Sequence, residues 1–331
     1  MIEEVLVTAR HNAKDDPSLG IWTWEIAFYL FMGGMAAGIM LFAAWAVLAR
    51  RDEALPFAHD RFALWAPIAL SLGMTTLFLD LEYKIHVFRF YTTFQPASPM
   101  SWGSWVLVLV YPLSIALITA TFRRGYPNLS ARLERLPLIR PLLDISEDYR
   151  RPIAFVTIPI AIALGIYTGI LLSTFSARPF WNSAILGPLF LVSGLSAAAA
   201  MIILGARDKL ERTMFAQVDI WLIAVELLLV ALLIVGLASG SEAQLHALEL
   251  VMSGPYALVF WGVFITVGLA LPLLLEIWEI RGGARALVLV APLLVLLGGY
   301  ALRHVTLDLG QASTWQEYTT QYDPALLERL K

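Results

Sequence analysis

Apolar residues fall along the chain in eight long runs, at residues 21–49, 62–83, 102–122, 153–175, 184–205, 215–238, 255–275 and 284–302, and polar residues collect between them. A helix needs roughly 17–25 residues to cross a hydrocarbon core. Barrel strands are shorter and alternate, so continuous runs of this length predict an all-α polytopic membrane protein with eight transmembrane helices. The first twenty residues carry Glu3, Glu4, Asp15 and Asp16 and no basic region before an apolar stretch. They do not read as a cleavable signal, so the first helix is expected to target the chain itself.

Composition narrows the function. Of 331 residues, 59% are hydrophobic and 15% charged, against about 25% charged in a soluble domain. That excludes a soluble enzyme and a disordered chain, and the net charge of −3 offers no pull toward nucleic acid. There is no cysteine, so the chain holds no thiolate-ligated iron–sulfur cluster or zinc and no disulfide. His11, His59, His86, His246 and His304 carry no haem or metal spacing, and no metal is expected. Electrons, if they pass here, must sit on a bound organic molecule or on a partner subunit.

Fifteen Lys and Arg lie in the loops after the first, third, fifth and seventh runs, against eight on the other side with both terminal segments. By the positive-inside bias both termini are expected outside, periplasmic in a Gram-negative host. The Arg-rich connection after the third run predicts a short interfacial helix over 129–136. Small residues repeat at an offset of 160, Gly33-Gly34-Met35-Ala36-Ala37-Gly38 against Ser193-Gly194-Leu195-Ser196-Ala197-Ala198, which predicts two parallel four-helix bundles side by side. The first would occupy 21–175 and the second 184–302, with a periplasmic segment 1–20 before them and a tail 303–331 after.

Charges within membrane segments are costly and mark function by default. Glu25, Asp80, Glu82, Asp219, Glu226 and Arg285 stand in the apolar runs. Glu25, Asp80 and Glu82 gather near the outer ends of the first two runs, with Lys84, His86 and Arg89 just beyond. They read either as ion pairs at the headgroup boundary or as a polar pocket that exchanges protons with a ligand, with Asp80, Glu25 and His86 the catalytic candidates. Asp219 and Glu226, with Glu276 and Arg303, form a candidate proton path or a set of hydrogen bonds between helices; both readings stay open.

Two stretches go beyond composition. One is Phe90-Tyr91-Thr92-Thr93-Phe94-Gln95-Pro96-Ala97-Ser98-Pro99-Met100-Ser101-Trp102-Gly103-Ser104-Trp105; the other joins Tyr167-Thr168-Gly169 to Ala177-Arg178-Pro179-Phe180-Trp181-Asn182. With Trp22-Thr23-Trp24-Glu25, the glycines of the first run, Gly254-Pro255-Tyr256-Ala257 and Arg303, they resemble the NrfD/PsrC family over roughly residues 20–310. The resemblance implies a quinone-binding membrane subunit with eight helices in two bundles. Menaquinone or ubiquinone would bind non-covalently in the first bundle near the outer face. It would exchange electrons there with a ferredoxin-like iron–sulfur subunit, attached to a molybdopterin or multihaem catalytic subunit, in the bacterial inner membrane. It assigns Tyr167, Tyr29, Trp22 and Asp80 to the quinone, and Ser98, Pro99, Trp102, Arg178, Trp181 and Asn182 to the partner interface. Where many members read Leu-Asp-Leu-Gly-Arg-Pro, this protein has Leu79-Asp80-Leu81-Glu82-Tyr83-Lys84, so the positive partner of Asp80 would be Lys84 or Arg89. A proton-translocating subunit and a redox-free secondary transporter are the rival readings; the absence of paired Gly/Pro helix breaks speaks against the transporter.

Overall fold

A computed structural model describes residues 21–50, 53–282 and 289–313. The terminal segments and Arg285 fall outside these residues. Within them the chain is helical with no strand, and eight helices are long and apolar enough to cross a membrane. They are α1 (Trp24–Leu48), α2 (Phe62–Asp80), α3 (Pro99–Gly125), α4 (Arg150–Ser173), α5 (Leu186–Gly205), α6 (Lys209–Ala238), α7 (Leu258–Ile280) and α8 (Val290–Ala312). We call the face where α1 begins the upper face and the opposite one the lower face.

The two most buried spans are α1 and α5. Both are apolar all round and bury Ile39, Met40, Leu189 and Phe190 almost completely. α1 packs on α2, α4, α5 and α8. The two copies of the small-residue repeat meet each other here. A Cβ on Gly38 would come within 2.5 Å of the Gly194 carbonyl, and a Cβ on Gly194 would strike the Gly34 carbonyl. Backbone lies on backbone at this crossing, which only glycine permits.

Polar contacts close both faces. At the upper face Trp22 N donates to Gln311 Oε1 at 2.9 Å and Gln311 Nε2 returns to Trp22 O at 2.8 Å, tying the start of α1 to the end of α8. At the lower face the buried Glu211 of α6 accepts from Ala58 N at 2.8 Å and Phe57 N at 3.2 Å, capping the short helix Pro56–Asp60. Burial raises the pKa of Tyr126, beyond the end of α3, so its hydroxyl stays a neutral donor toward Arg61 O.

Three features depart from the sequence expectations. α8 runs to Ala312 and not to 302, so Arg303 belongs to the helix and is fully buried rather than opening a tail. Hydropathy loses the helix at its first charges because it cannot see that Arg303 is paired inside. The connection after α3 folds as Pro127–Leu133 and Ile139–Asp148 instead of one helix over 129–136. Finally, the first half of α7, Leu258–Ala270, is a π-helix, in which Thr266 Oγ1 donates to Trp261 O at 2.7 Å. Pro272 follows; it lacks an N–H and clashes with an α-turn carbonyl four residues back, which a wider winding avoids.

Candidate functional site

A cavity of about 300 Å³ lies between α1, α2, α3 and α4 toward the upper face. Each helix gives it one face at helical spacing: Ile26, Tyr29 and Leu30 from α1, Met74, Leu77 and Phe78 from α2, Ser104 and Leu107 from α3, Tyr167 and Leu171 from α4. Trp22, Asp80 and Tyr91 also line it, among further apolar residues. The walls are thus mostly apolar, with three tyrosines, one serine and one carboxyl as polar groups. A groove of about 500 Å³ shares Leu81, Phe90, Met100 and Ser104 with the cavity and continues along His86, Arg89 and Ser98.

Gly103 sets the place of Tyr167. A Cβ at Gly103 would overlap the Tyr167 ring and hydroxyl, so only glycine leaves this ring its seat against α3. Tyr29 stands within electrostatic reach of both Tyr167 and Tyr91. Burial, with Tyr111 nearby, pushes the Tyr91 phenol above its usual pKa, which keeps its proton available for donation. Tyr91, Ser104 and Gly103 were not singled out from the sequence. All three stand in the stretch 90–105 that carried the resemblance, but a linear motif does not say which of its residues face inward.

The other candidates are placed as follows. Asp80, at the end of α2, has Glu25 and Lys84 within electrostatic reach. Lys84 Nζ donates to Leu81 O at 2.9 Å and so also caps α2. Glu25 accepts a hydrogen bond from Thr23 and lies outside the cavity lining. His86 is exposed and belongs to the groove, so it does not join Tyr29, Asp80 and Tyr167 at the cavity wall. Trp102 is exposed, its Nε1 donating to Pro96 O at 2.6 Å, and Asn182 is exposed; Pro99 begins α3. Trp181 departs from its expected place at a partner interface. It is 3% exposed, donates from Nε1 to Thr306 O at 2.8 Å and stacks on Trp22. It packs the connection before α5 onto α8 and is nearly closed off from the surface. Arg178 is half-buried and donates to Gln311 O at 2.8 Å.

A second polar cluster lies among α5, α6, α7 and α8. Arg303 donates to Ser193 Oγ at 2.6 Å, Gly299 O at 2.8 Å and Phe190 O at 2.8 Å, and lies between the rings of Phe31 and Phe190. Glu226, fully buried, faces both Ser193 and Arg303. About two turns toward the lower face, Asp219 accepts from Ser196 Oγ at 2.6 Å and faces Glu276. One oxygen each of Asp219 and Glu226, and both of Glu276, are buried without a hydrogen-bond partner. Nothing within α6 pairs with Asp219 and Glu226; Ser193 and Ser196 come from the preceding helix, and Glu276 and Arg303 from farther along the chain.

Eight apolar spans around polar interior sites define a multi-pass membrane protein. Residues 12–314 match the profile of the polysulphide reductase NrfD family, and the chain belongs to that family. It is 30% identical to a polysulfide reductase chain of Wolinella succinogenes over 88% of this protein and 94% of that one. Protein NrfD of Escherichia coli is 30% identical over 88% of this protein and 95% of its own length. A tetrathionate reductase subunit of Salmonella typhimurium is 27% identical over 72% of this protein and 65% of that one.

Proposed function

We propose that the chain is the quinone- or quinol-reactive membrane subunit of a respiratory oxidoreductase complex, and that it is not catalytic alone. Relatives that are named as parts of a polysulfide reductase and of a tetrathionate reductase support the role of a subunit. The observation that carries the quinone reading is the cavity itself, apolar walls with Tyr29, Tyr167 and Asp80 converging on one space. These residues fit a quinone: a flat apolar slot, phenolic donors for carbonyl oxygens and a carboxyl able to move a proton. A bound quinone would supply two-electron, two-proton chemistry that no side chain of this protein provides. Tyr29 and Tyr167 would orient it, the surrounding leucines would exclude water, and Asp80 would hold or pass a proton at its carboxyl. Electrons would come from an iron–sulfur subunit seated on the upper face over the groove at Ser98 and against the exposed Trp102, in turn attached to a molybdopterin or multihaem subunit.

Tyr167→Phe tests the assignment, because it deletes one hydroxyl and keeps the ring. Losing that hydrogen bond in a partly dry site should cost about 1–3 kcal/mol, roughly 5- to 150-fold in quinone-linked kcat/KM. Assembly should be unchanged. Equal turnover and equal quinone affinity in the purified complex would remove Tyr167 from the site.

The same reading sets both termini and the upper face in the periplasm, across a bacterial inner membrane. Because the protein has no cysteine, Ala97→Cys provides a single thiol in the loop before α3. An impermeant thiol reagent should label it in cells with only the outer membrane opened. Labelling that requires breach of the inner membrane would reverse the orientation.

A second reading concerns proton movement through α5–α8, and the buried Asp219–Glu276 and Glu226–Ser193–Arg303 groups favour it. Carboxyl oxygens without partners are poised to accept a proton arriving from the lower face.

A further inference from the structure

The connection between α3 and α4 has an outer surface that the quinone reading does not use. Successive helix positions turn by about 100°. Leu138, Leu142, Ile145 and Tyr149 therefore fall on one stripe of the Ile139–Asp148 helix, and they are 81%, 48%, 59% and 60% exposed. This is not the packing face. Leu143 and Ser146, roughly a quarter-turn around, are buried, and Ser146 Oγ is held by Thr119 of α3 at 2.9 Å. The apolar stripe stands free at the level where α3 ends and α4 begins.

Charge around the stripe is sorted. Arg123 of α3 gathers Glu134 at 2.9 Å, Asp144 at 2.6 Å and Glu147 at 2.9 Å. Asp148 is the one acid of this connection that Arg123 does not hold. Arg132, Arg135, Arg140 and Arg151 are exposed, and Arg150 and Arg151 line an open cleft of about 500 Å³ with Glu147, Asp148 and Pro152. Arg123 thus engages three of the four acids, and with seven arginines against four acids between Arg123 and Arg151 the outward surface is left apolar with a basic excess.

We propose that this connection is a docking surface for the headgroups of anionic phospholipids in the leaflet at the lower face. Apolar side chains at the end of a span enter the acyl boundary, and arginines beside them meet phosphates there. A zwitterionic lipid satisfies the stripe but not the arginines. A water-soluble acidic protein satisfies the arginines but must compete with lipid for the stripe.

The test uses the full chain in its complex, carrying Leu138→Cys labelled with a fluorophore, in nanodiscs of phosphatidylcholine and phosphatidylglycerol. Quencher-bearing phosphatidylglycerol should quench the label more than quencher-bearing phosphatidylcholine, and salt should erase the difference. Combined Arg132→Gln, Arg135→Gln, Arg140→Gln and Arg151→Gln should lower the preference by up to about fivefold per arginine, while the four Lys versions should keep most of it. Equal quenching by both lipids, insensitive to salt and to the substitutions, would overturn the proposal. So would a label quenched by neither lipid because water or a bound protein surrounds it. If the Gln variant fails to fold, the salt titration of the unsubstituted arginines decides alone.

Discussion

Asp80→Asn is expected to leave the complex assembled and its quinone-linked turnover about 10²–10⁴-fold slower, the usual worth of a positioned acid–base group. Asparagine keeps the shape of the side chain and its place in the cavity wall, but it cannot carry a proton. The pH profile of the residual activity should also change, because the group that titrates beside the reacting oxygen is gone. The opposing account makes Asp80 an anchor for Lys84, which already caps α2 at Leu81 O and lies within electrostatic reach. On that account the variant loses yield or stability, and every assembled complex keeps its rate and pH profile. Activity per assembled complex across pH therefore separates proton transfer from anchoring.

Arg303→Leu is expected to be the most damaging substitution for the fold. The guanidinium is fully buried, holds Phe190 O and Ser193, and is the cation facing Glu226. Removing it strands an acid and a carbonyl in the interior, which typically costs about 3–5 kcal/mol. Thermal unfolding in detergent and the yield of assembled complex should both fall. Adding Glu226→Leu should recover part of the loss, since deleting both members of a buried pair is far milder than deleting one. Arg303→Lys should fall between, keeping charge but not the three-way fork. Stability within about 1 kcal/mol of the native protein for Arg303→Leu would mean that Arg303 is not holding α8 to α5 and α6.

These two residues also show what a sequence can and cannot tell. The eight spans are legible because each is one unbroken stretch of local hydropathy. The Gly33–Gly38 and Ser193–Ala198 repeat was legible as a likeness, but not as a contact between its two copies. Asp80, Tyr29 and Tyr167 could be grouped because they share a membrane level and a family motif. Arg303 misled, since a charge near the end of an apolar run reads as the edge of the membrane unless its distant partner is known. Trp181 and Trp102 show the same limit: both are tryptophans by an upper helix end, yet one packs the connection before α5 onto α8 and the other faces outward. The π-winding of α7 left no local signal beyond Pro272.

The most direct test of the central claim is photolabelling. A photoreactive quinone analogue added to the purified complex in nanodiscs, followed by peptide mapping, reports which helices surround the ring. The cavity predicts labelling within 22–30, 74–91, 100–107 and 167–172, displaced by excess quinone and reduced by bulk placed at Leu107. Displaceable labelling confined to α5–α8, or to none of the cavity helices, would contradict it.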